Sequence, residues 1–306
     1  MGRRICVSRE PAIATTPDKS LRQYAAHPRD WHDNLYVYPV ISRRSGGLSI
    51  GINLNPDAAC NFDCIYCQVD RTVPPRTREV DVAVLDAELR VLIAAALSGL
   101  LFEDAAFADV PMNLRAIRDI ALSGDGEPTT CRYFREAVET IARVKFEAGL
   151  AQVKIVLITD ACYLTRPEVV AGLTVLDANQ GEIWAKLDAG TEDYFRLVNR
   201  PNVSLRHVID NIIATARVRP IVIQSLFMRV QGAAPSREEI DAYVARLREI
   251  VSGGGQIALV QVYTVARRPA QDFVDALMDE EVDRIVHAVR TGVSIPTEAY
   301  YGAGSP

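Results

Sequence analysis

The sequence predicts an α/β protein in which six strand–helix units form a partial (β/α)6 barrel, with an irregular extension at the N-terminus. Three observations support this prediction. From residue 48 onward, short apolar runs alternate with longer segments of helical periodicity. The short runs are continuously apolar, as expected for parallel strands that are covered on both faces. Six units are too few to close the eight-stranded barrel of the TIM type, so we expect an incomplete one.

The units follow one another along the chain. The predicted strands cover residues 48–54, 115–123, 153–159, 182–188, 221–228 and 256–264. The predicted helices cover residues 84–101, 133–149 and 204–217, a segment that begins at Pro167, a segment that begins at Ser236, and residues 279–292. Pro167 suits a first helical turn. Ser236 and Glu239 have the spacing of a capping box.

We divide the chain into three parts. Residues 1–47 contain eight Lys or Arg against four Asp or Glu and have no sustained periodicity. We expect them to form a basic extension whose aromatic side chains pack on the core. Residues 48–292 form the barrel, and residues 293–306 form an edge segment or a tail.

Composition excludes several classes of protein. The net charge of −5 over 306 residues argues against a chain that mainly grips nucleic-acid backbones. We find no apolar run of the roughly 18 residues that a membrane helix needs. The N-terminal residues lack the apolar region of a signal peptide. We therefore expect a cytoplasmic protein that does not bind membranes.

Three of the six cysteines fall within eight residues, directly after the first predicted strand. Cys60, Cys64 and Cys67 have the spacing C-x3-C-x2-C in the segment CNFDCIYC. Active sites of such folds lie at the carboxyl ends of the strands. Three thiolates can hold three irons of a four-iron cluster and leave the fourth iron open for catalysis. They can also form a zinc site that a distant His or Asp completes. The spacing alone leaves both possibilities open.

Two segments resemble motifs of the radical S-adenosylmethionine (SAM) enzymes. CNFDCIYC resembles the family's cysteine signature, with the aromatic Tyr66 before the last cysteine. SGDGEPT, residues 123–129, is similar to the family's glycine-glycine-glutamate-proline motif and follows the second predicted strand. Within it, Asp125 stands where the first of the paired glycines often stands.

The resemblance implies a cofactor set and a reaction type. Cys60, Cys64 and Cys67 would bind a [4Fe-4S] cluster that reductively cleaves SAM to a 5′-deoxyadenosyl radical, which acts on an unidentified small-molecule or nucleotide substrate. An electron donor such as flavodoxin or ferredoxin would reduce the cluster. The residues implied in SAM binding are Tyr66, Gly124, Asp125, Gly126, Glu127, Lys186 and Asp188.

Some polar residues on the predicted strands allow two interpretations. Lys186 and Asp188 share one strand face with Trp184 by two-residue alternation, so they either contact SAM or form an internal ion pair. Gln224 and Gln261 either line the cavity or bond to each other.

Two further segments narrow the resemblance and add alternatives. Residues 186–201 and 261–269 are similar to the branch of the superfamily near wyosine synthase, a tRNA-modifying enzyme. That branch carries a second cluster on three N-terminal cysteines, whereas the extension of this chain has only Cys6. Wyosine-synthase-like tRNA base modification is therefore an alternative function, and a non-catalytic zinc-binding module is an alternative of another class. Three interpretations of Cys131 and Cys162 stay open: with or without Cys6 they hold a second cluster, they donate a hydrogen or sulfur atom, or they are small buried residues.

Overall fold

A computed structural model describes residues 21–25, 31–267, 269 and 271–302. In this part of the chain one mixed sheet is covered on its outer side by helices. Its strands are β1 (Val37–Ser42), β2 (Gly47–Ile52), β3 (Ile117–Leu122), β4 (Lys154–Thr159), β5 (Gly181–Lys186), β6 (Ile221–Val230), β7 (Ile257–Thr264), β8 (Val274–Ala276) and β9 (Thr297–Tyr300). Its helices are α1 (Arg22–Ala25), α2 (Val82–Ser98), α3 (Phe134–Glu147), α4 (Pro167–Asp177), α5 (Glu192–Asn199), α6 (Leu205–Val218), α7 (Arg237–Ser252) and α8 (Asp279–Val293).

The order of the strands confirms the predicted α/β fold class. Strands β2 to β7 are neighbours in chain order and pair in parallel, which gives the six units of an incomplete barrel. Strand β1 extends one edge by antiparallel pairing with β2, and β9 extends the other edge by parallel pairing with β7. The carboxyl ends of β2 to β7 therefore meet at one rim, where an active site is expected.

Alternation of side chains along each strand separates an outer core from an inner lining. On β5, Ile183 and Ala185 are buried in the large core beneath the helices. Trp184 points to the inner side, where it packs with Ala121, Val156 and Val222. The concave face is thus partly apolar at its centre and, as described below, polar toward the rim.

The structure adds elements that the sequence did not predict. Residues 37–42 form β1, although we expected an irregular extension there. Pro39 argued against a strand in the sequence, because proline lacks the N–H that a central strand needs. It is tolerated here because β1 is an edge strand. The helix α5 and the short strand β8 were also not predicted. The part of the extension that contains Cys6 lies outside the described residues, and the three-part division of the chain stays a prediction.

Two local details refine the expected elements. Ser236 caps α7 as predicted, since its hydroxyl accepts a hydrogen bond from the backbone N–H of Glu239. The Glu239 carboxylate does not return to Ser236 as a capping box requires. It accepts hydrogen bonds from the Gly190 N–H at 2.5 Å and from the Thr191 hydroxyl at 2.6 Å, and so ties α7 to the loop after β5. No helix in the described part of the chain is both long and apolar enough to cross a membrane.

Candidate functional site

A cavity of about 350 Å³ opens at the carboxyl rim of the parallel strands. Its volume is within the range of small-molecule sites. All three cysteines of the C-x3-C-x2-C segment line it, together with five of the residues that the resemblance implies in SAM binding and with Lys186. Those five are Tyr66, Gly124, Asp125, Gly126 and Glu127. The structure therefore brings most of the predicted site residues to one cavity.

The cysteine loop is held in place by the end of α5. The N–H of Asp63 donates to the carbonyl of Asn199 at 3.0 Å, and the N–H of Ile65 donates to the carbonyl of Val198 at 3.0 Å. The ring of Phe62 packs edge-on against Phe195, with 5.4 Å between the centroids. These contacts hold the backbone between the first and the last cysteine in one conformation, and they thereby fix the positions of the three thiols relative to one another.

The three thiols are free and differ in their surroundings. Cys60 is exposed, and Cys64 and Cys67 are partly buried. Burial raises the pKa of Cys64 to about 12, and the nearby carboxylate of Asp188 adds to the effect. Within the described residues, no three or more His, Cys, Asp or Glu side chains are grouped closely enough to hold a single metal ion. A donor set of three soft sulfur ligands on one loop nevertheless fits an iron–sulfur cluster.

The turn after β3 contacts the cysteine loop through its backbone. The N–H of Glu127 donates to the carbonyl of Ala59 at 3.0 Å. A Cβ atom at Gly126 would lie only 1.9 Å from that carbonyl oxygen, so glycine is required by this close approach. Asn53, directly after β2, holds the turn through two hydrogen bonds to Asp125. Its Oδ1 accepts from the Asp125 N–H at 3.1 Å, and its Nδ2 donates to the Asp125 carboxylate at 2.6 Å.

The carboxylate of Glu127 is fully engaged by protein donors. Its Oε1 accepts from the N–H and hydroxyl of Thr129 and from the hydroxyl of Thr159, and its Oε2 accepts from the Asp160 N–H at 2.6 Å. Burial, and then the neighbouring Asp160 carboxylate, raise the pKa of Glu127. In this arrangement Glu127 ties the turn to the end of β4. Its predicted contact with SAM stays a prediction.

Lys186 and Asp188 form the internal ion pair that was one of the two predicted interpretations. Lys186 Nζ lies 3.0 Å from Asp188 Oδ1 and donates to the hydroxyl of Tyr263 at 2.7 Å. Strand β5 ends at Lys186, two residues earlier than expected. As a result the Asp188 side chain is fully buried behind the cavity wall, whereas Lys186 lines the cavity.

Asp188 connects four parts of the site. Besides Lys186, its carboxylate accepts hydrogen bonds from the hydroxyl of Tyr66, from Asn199 Nδ2 at 2.8 Å and from the N–H of Leu226 at 2.8 Å. These donors come from the cysteine loop, from α5 and from β6. Asp188 therefore orients groups that face the cavity without facing it itself.

Of the other polar residues and cysteines considered in the sequence, Gln224 lines the cavity, whereas Cys131 and Cys162 do not. Gln224 lines the cavity and donates to Gln261 at 3.2 Å, so both of its predicted interpretations hold together. Cys131 and Cys162 are not among the residues that line the cavity in the described structure. Cys162 is buried in the large core, and the partly buried Cys131 packs against the same core.

Sequence reasoning missed Thr159, Asp160 and Asn199. Thr159 and Asp160 directly follow the apolar run of β4, and a polar pair at the carboxyl end of a buried strand is a signal that could have found them. Asn199 ends α5 and carries no such signal.

The comparisons with known proteins bear on the fold. No protein-family model matches the chain. A GTPase Obg from Brachyspira hyodysenteriae is 25% identical over 248 residues, which are 80% of this chain but only 32% of that protein. A UPF0026 protein from Helicobacter pylori is 24% identical over 247 residues, which are 80% of this chain and 70% of that protein.

Among solved structures, the chain resembles a radical SAM methyltransferase from Sphaerobacter thermophilus. The TM-score is 0.59 at 17% sequence identity, over 88% of this chain and 70% of that chain. A likeness at this level of identity shows a shared fold. The resemblance that the cysteine loop and the 123–129 turn predicted is thus confirmed at the level of the fold, which is the partial α/β barrel of a radical SAM protein of known structure.

Proposed function

We propose that this chain is a radical SAM enzyme, with a [4Fe-4S] cluster on Cys60, Cys64 and Cys67 and with SAM against the turn of residues 123–127. The observation that carries the proposal is that all three cysteines and this turn line one cavity at the carboxyl ends of parallel strands. When bound, a reduced cluster supplies the electron that cleaves SAM to methionine and a 5′-deoxyadenosyl radical. The shared fold with a radical SAM methyltransferase supports the proposal.

The chain's own residues would prepare the site for these cofactors. Gly126 lets the turn approach the cysteine loop closely, and Glu127 holds the turn to the end of β4. Lys186 is a cation on the cavity wall that would pair with the SAM carboxylate, while Asp188, which also accepts a hydrogen bond from Tyr66, holds it in place.

Anaerobic reconstitution with iron and sulfide, followed by reduction with dithionite in the presence of SAM, tests the proposal. We expect about four irons per chain and the formation of 5′-deoxyadenosine. Replacing any one of Cys60, Cys64 and Cys67 with Ala is expected to abolish both. Cys131→Ala and Cys162→Ala serve as matched controls and are expected to retain the iron, since neither side chain lines the cavity.

Two results would contradict the proposal. One is stoichiometric zinc that reconstitution does not replace with iron, which would support a zinc-binding module. The other is a four-iron protein that forms no 5′-deoxyadenosine under reduction.

A further inference from the structure

Two arginines lie at the floor of the cavity, at the end opposite the cysteines. Arg43 and Arg44 both line the cavity and belong to the turn between β1 and β2. The turn precedes β2, whereas the cysteine loop follows it. Six residues of extended strand span about 20 Å. The cavity therefore has a thiol-lined mouth and a guanidinium-lined floor on opposite ends of the same strand.

The guanidinium of Arg44 lies among aromatic rings of the inner sheet face. Its carbon is 5.0 Å from the ring centroid of Tyr263 and 5.6 Å from that of Trp184. The hydroxyl of Tyr263 accepts a hydrogen bond from Lys186. One aromatic ring thus separates Arg44 from the lysine on the upper cavity wall. Rings that cover the face of a guanidinium leave the N–H donors in its plane available for an acceptor.

Arg44 has no carboxylate partner at contact distance. Among the described residues, none of its nitrogens lies within 4 Å of a carboxylate oxygen, and it makes no hydrogen bond. Burial raises the pKa of the nearby Asp119, and hydrogen bonds from Ser45 and Ser49 together with the charge of Arg44 oppose this rise. Arg44 therefore attracts Asp119 without contacting it.

Arg43 adds positive charge beside Arg44. Its guanidinium donates to the main-chain carbonyl of Tyr301, and no carboxylate oxygen of a described residue lies within 4 Å of its nitrogens. Burial, and then the charge of Arg44, lower the pKa of Arg43 to about 10. Both side chains are partly buried, and no carboxylate of a described residue contacts either guanidinium. Two such neighbouring positive charges repel each other, and a bound anion would relieve the repulsion.

We propose that Arg44, supported by Arg43, binds an oxyanion group, a carboxylate or a phosphate, of a small anionic substrate at the floor of the cavity. A guanidinium binds either group through two parallel hydrogen bonds. The opposite end of such a molecule then points toward the cysteine rim. The identification of the anion as the substrate rests on the proposed function, whereas anion binding at Arg44 does not.

Trp184 provides a direct signal for this site. The sequence has two tryptophans, so Trp31→Phe leaves Trp184, beside Arg44, as the single tryptophan, whose emission is excited selectively over that of the tyrosines. We would titrate the Trp31→Phe protein with inorganic phosphate and, separately, with acetate, at an ionic strength held constant with chloride. We expect a saturable fluorescence change with at least one of the two anions, and the anion that gives it identifies the chemistry of the group.

Variants of Arg44 decide whether the signal comes from the proposed site. Arg44→Gln in the Trp31→Phe protein is expected to weaken binding at least tenfold, and calorimetry checks the result without the fluorophore. Arg237→Gln removes an arginine that is 90% exposed and is expected to leave the titration unchanged. If Arg44→Gln does not fold, Arg44→Lys keeps the charge but loses the two parallel donors and is expected to bind several-fold more weakly. No saturable response to either anion, or equal affinity in the folded Arg44 variants, would overturn the proposal.

The anion site and the proposed function can fail separately. Iron content and 5′-deoxyadenosine formation are measured on the wild-type protein without any added anion. Anion binding without 5′-deoxyadenosine would leave the floor site intact and remove the enzymatic role. Formation of 5′-deoxyadenosine without anion binding would support the enzymatic role and overturn the anion site.

Discussion

The side-chain nitrogen of Asn199 lies 3.4 Å from the sulfur of Cys64, although 135 residues separate the two in the chain. The same nitrogen donates to Asp188 at 2.8 Å. Hydrogen bonds to ligand sulfurs help to set the reduction potential of an iron–sulfur cluster. Asn199 is therefore in a position to stabilise the reduced form of a cluster held by Cys64.

Replacing Asn199 with Ala is expected to lower the reduction potential of the reconstituted cluster. A single hydrogen bond of about 1 kcal/mol corresponds to about 40 mV for one electron. An anaerobic redox titration followed by electron paramagnetic resonance measures the change. Asn179→Ala is the control, since this asparagine only donates to the carbonyl of Val175 at the end of α4. A potential that is equal in both variants and in the wild type would count against the role of Asn199.

The close approach at Gly126 leads to a second prediction. Gly126→Ala would press a Cβ against the Ala59 carbonyl, a backbone atom that cannot move without displacing the cysteine loop. Gly124→Ala meets the side chain of Asn53 at 2.4 Å, and a side chain can rotate away. We expect Gly126→Ala to lose most of the iron on reconstitution and Gly124→Ala to lose less. Colorimetric iron analysis and urea unfolding of both variants provide the measurements, and a greater loss in Gly124→Ala would contradict the argument.

In the ion pair of Lys186 and Asp188, the aspartate accepts three further hydrogen bonds, whereas the lysine donates one further hydrogen bond, to Tyr263. Asp188→Ala removes the acceptor of four donors and leaves Lys186 without its counter-charge. The loss of one partner of a buried pair costs about 3–5 kcal/mol of unfolding free energy. Lys186→Met leaves Asp188 with the donors of Tyr66, Asn199 and Leu226, so a smaller loss is expected. Equilibrium denaturation of the two apoproteins compares them, and equal losses would show that the three remaining donors contribute little.

The buried carboxylate of Glu127 predicts how stability depends on pH. Burial, and then Asp160, raise the pKa of Glu127 in the folded protein from 4.5 to about 8. Between these values the folded state holds the proton more tightly than the unfolded state does, so this group makes the protein less stable as the pH rises. Glu127→Gln cannot ionise. Its free energy of unfolding should therefore rise relative to wild type between pH 4.5 and 8, by at most about 1.4 kcal/mol per pH unit.

Urea denaturation of the apoproteins at pH 5, 6, 7 and 8 measures this difference. Glu168→Gln removes an exposed carboxylate on α4 and serves as the control. If the difference between Glu127→Gln and wild type stays constant across the four pH values, Glu127 does not carry the pH dependence.

Local patterns in the sequence determined the unit structure and the motif positions. Six apolar runs alternate with helical segments because each strand must be buried and each helix must cover it. The cysteine loop and the 123–129 turn each follow such a run, and parallel strands of one sheet end at a common rim. Chain order and periodicity were therefore enough to predict that Cys60, Cys64, Cys67 and Glu127 lie near one another.

Only the tertiary structure decided what surrounds these residues. The tertiary fold brings Asn199 to Cys64 and places Arg44 beside Trp184 and Tyr263. Both sets of contacts join parts of the chain that are far apart in sequence. The end of β5 at Lys186 turns Asp188 away from the cavity, which two-residue alternation could not reveal. Periodicity describes which face a side chain takes within its own element. The partners on that face depend on strand register and helix packing, which are set by the burial of the whole core.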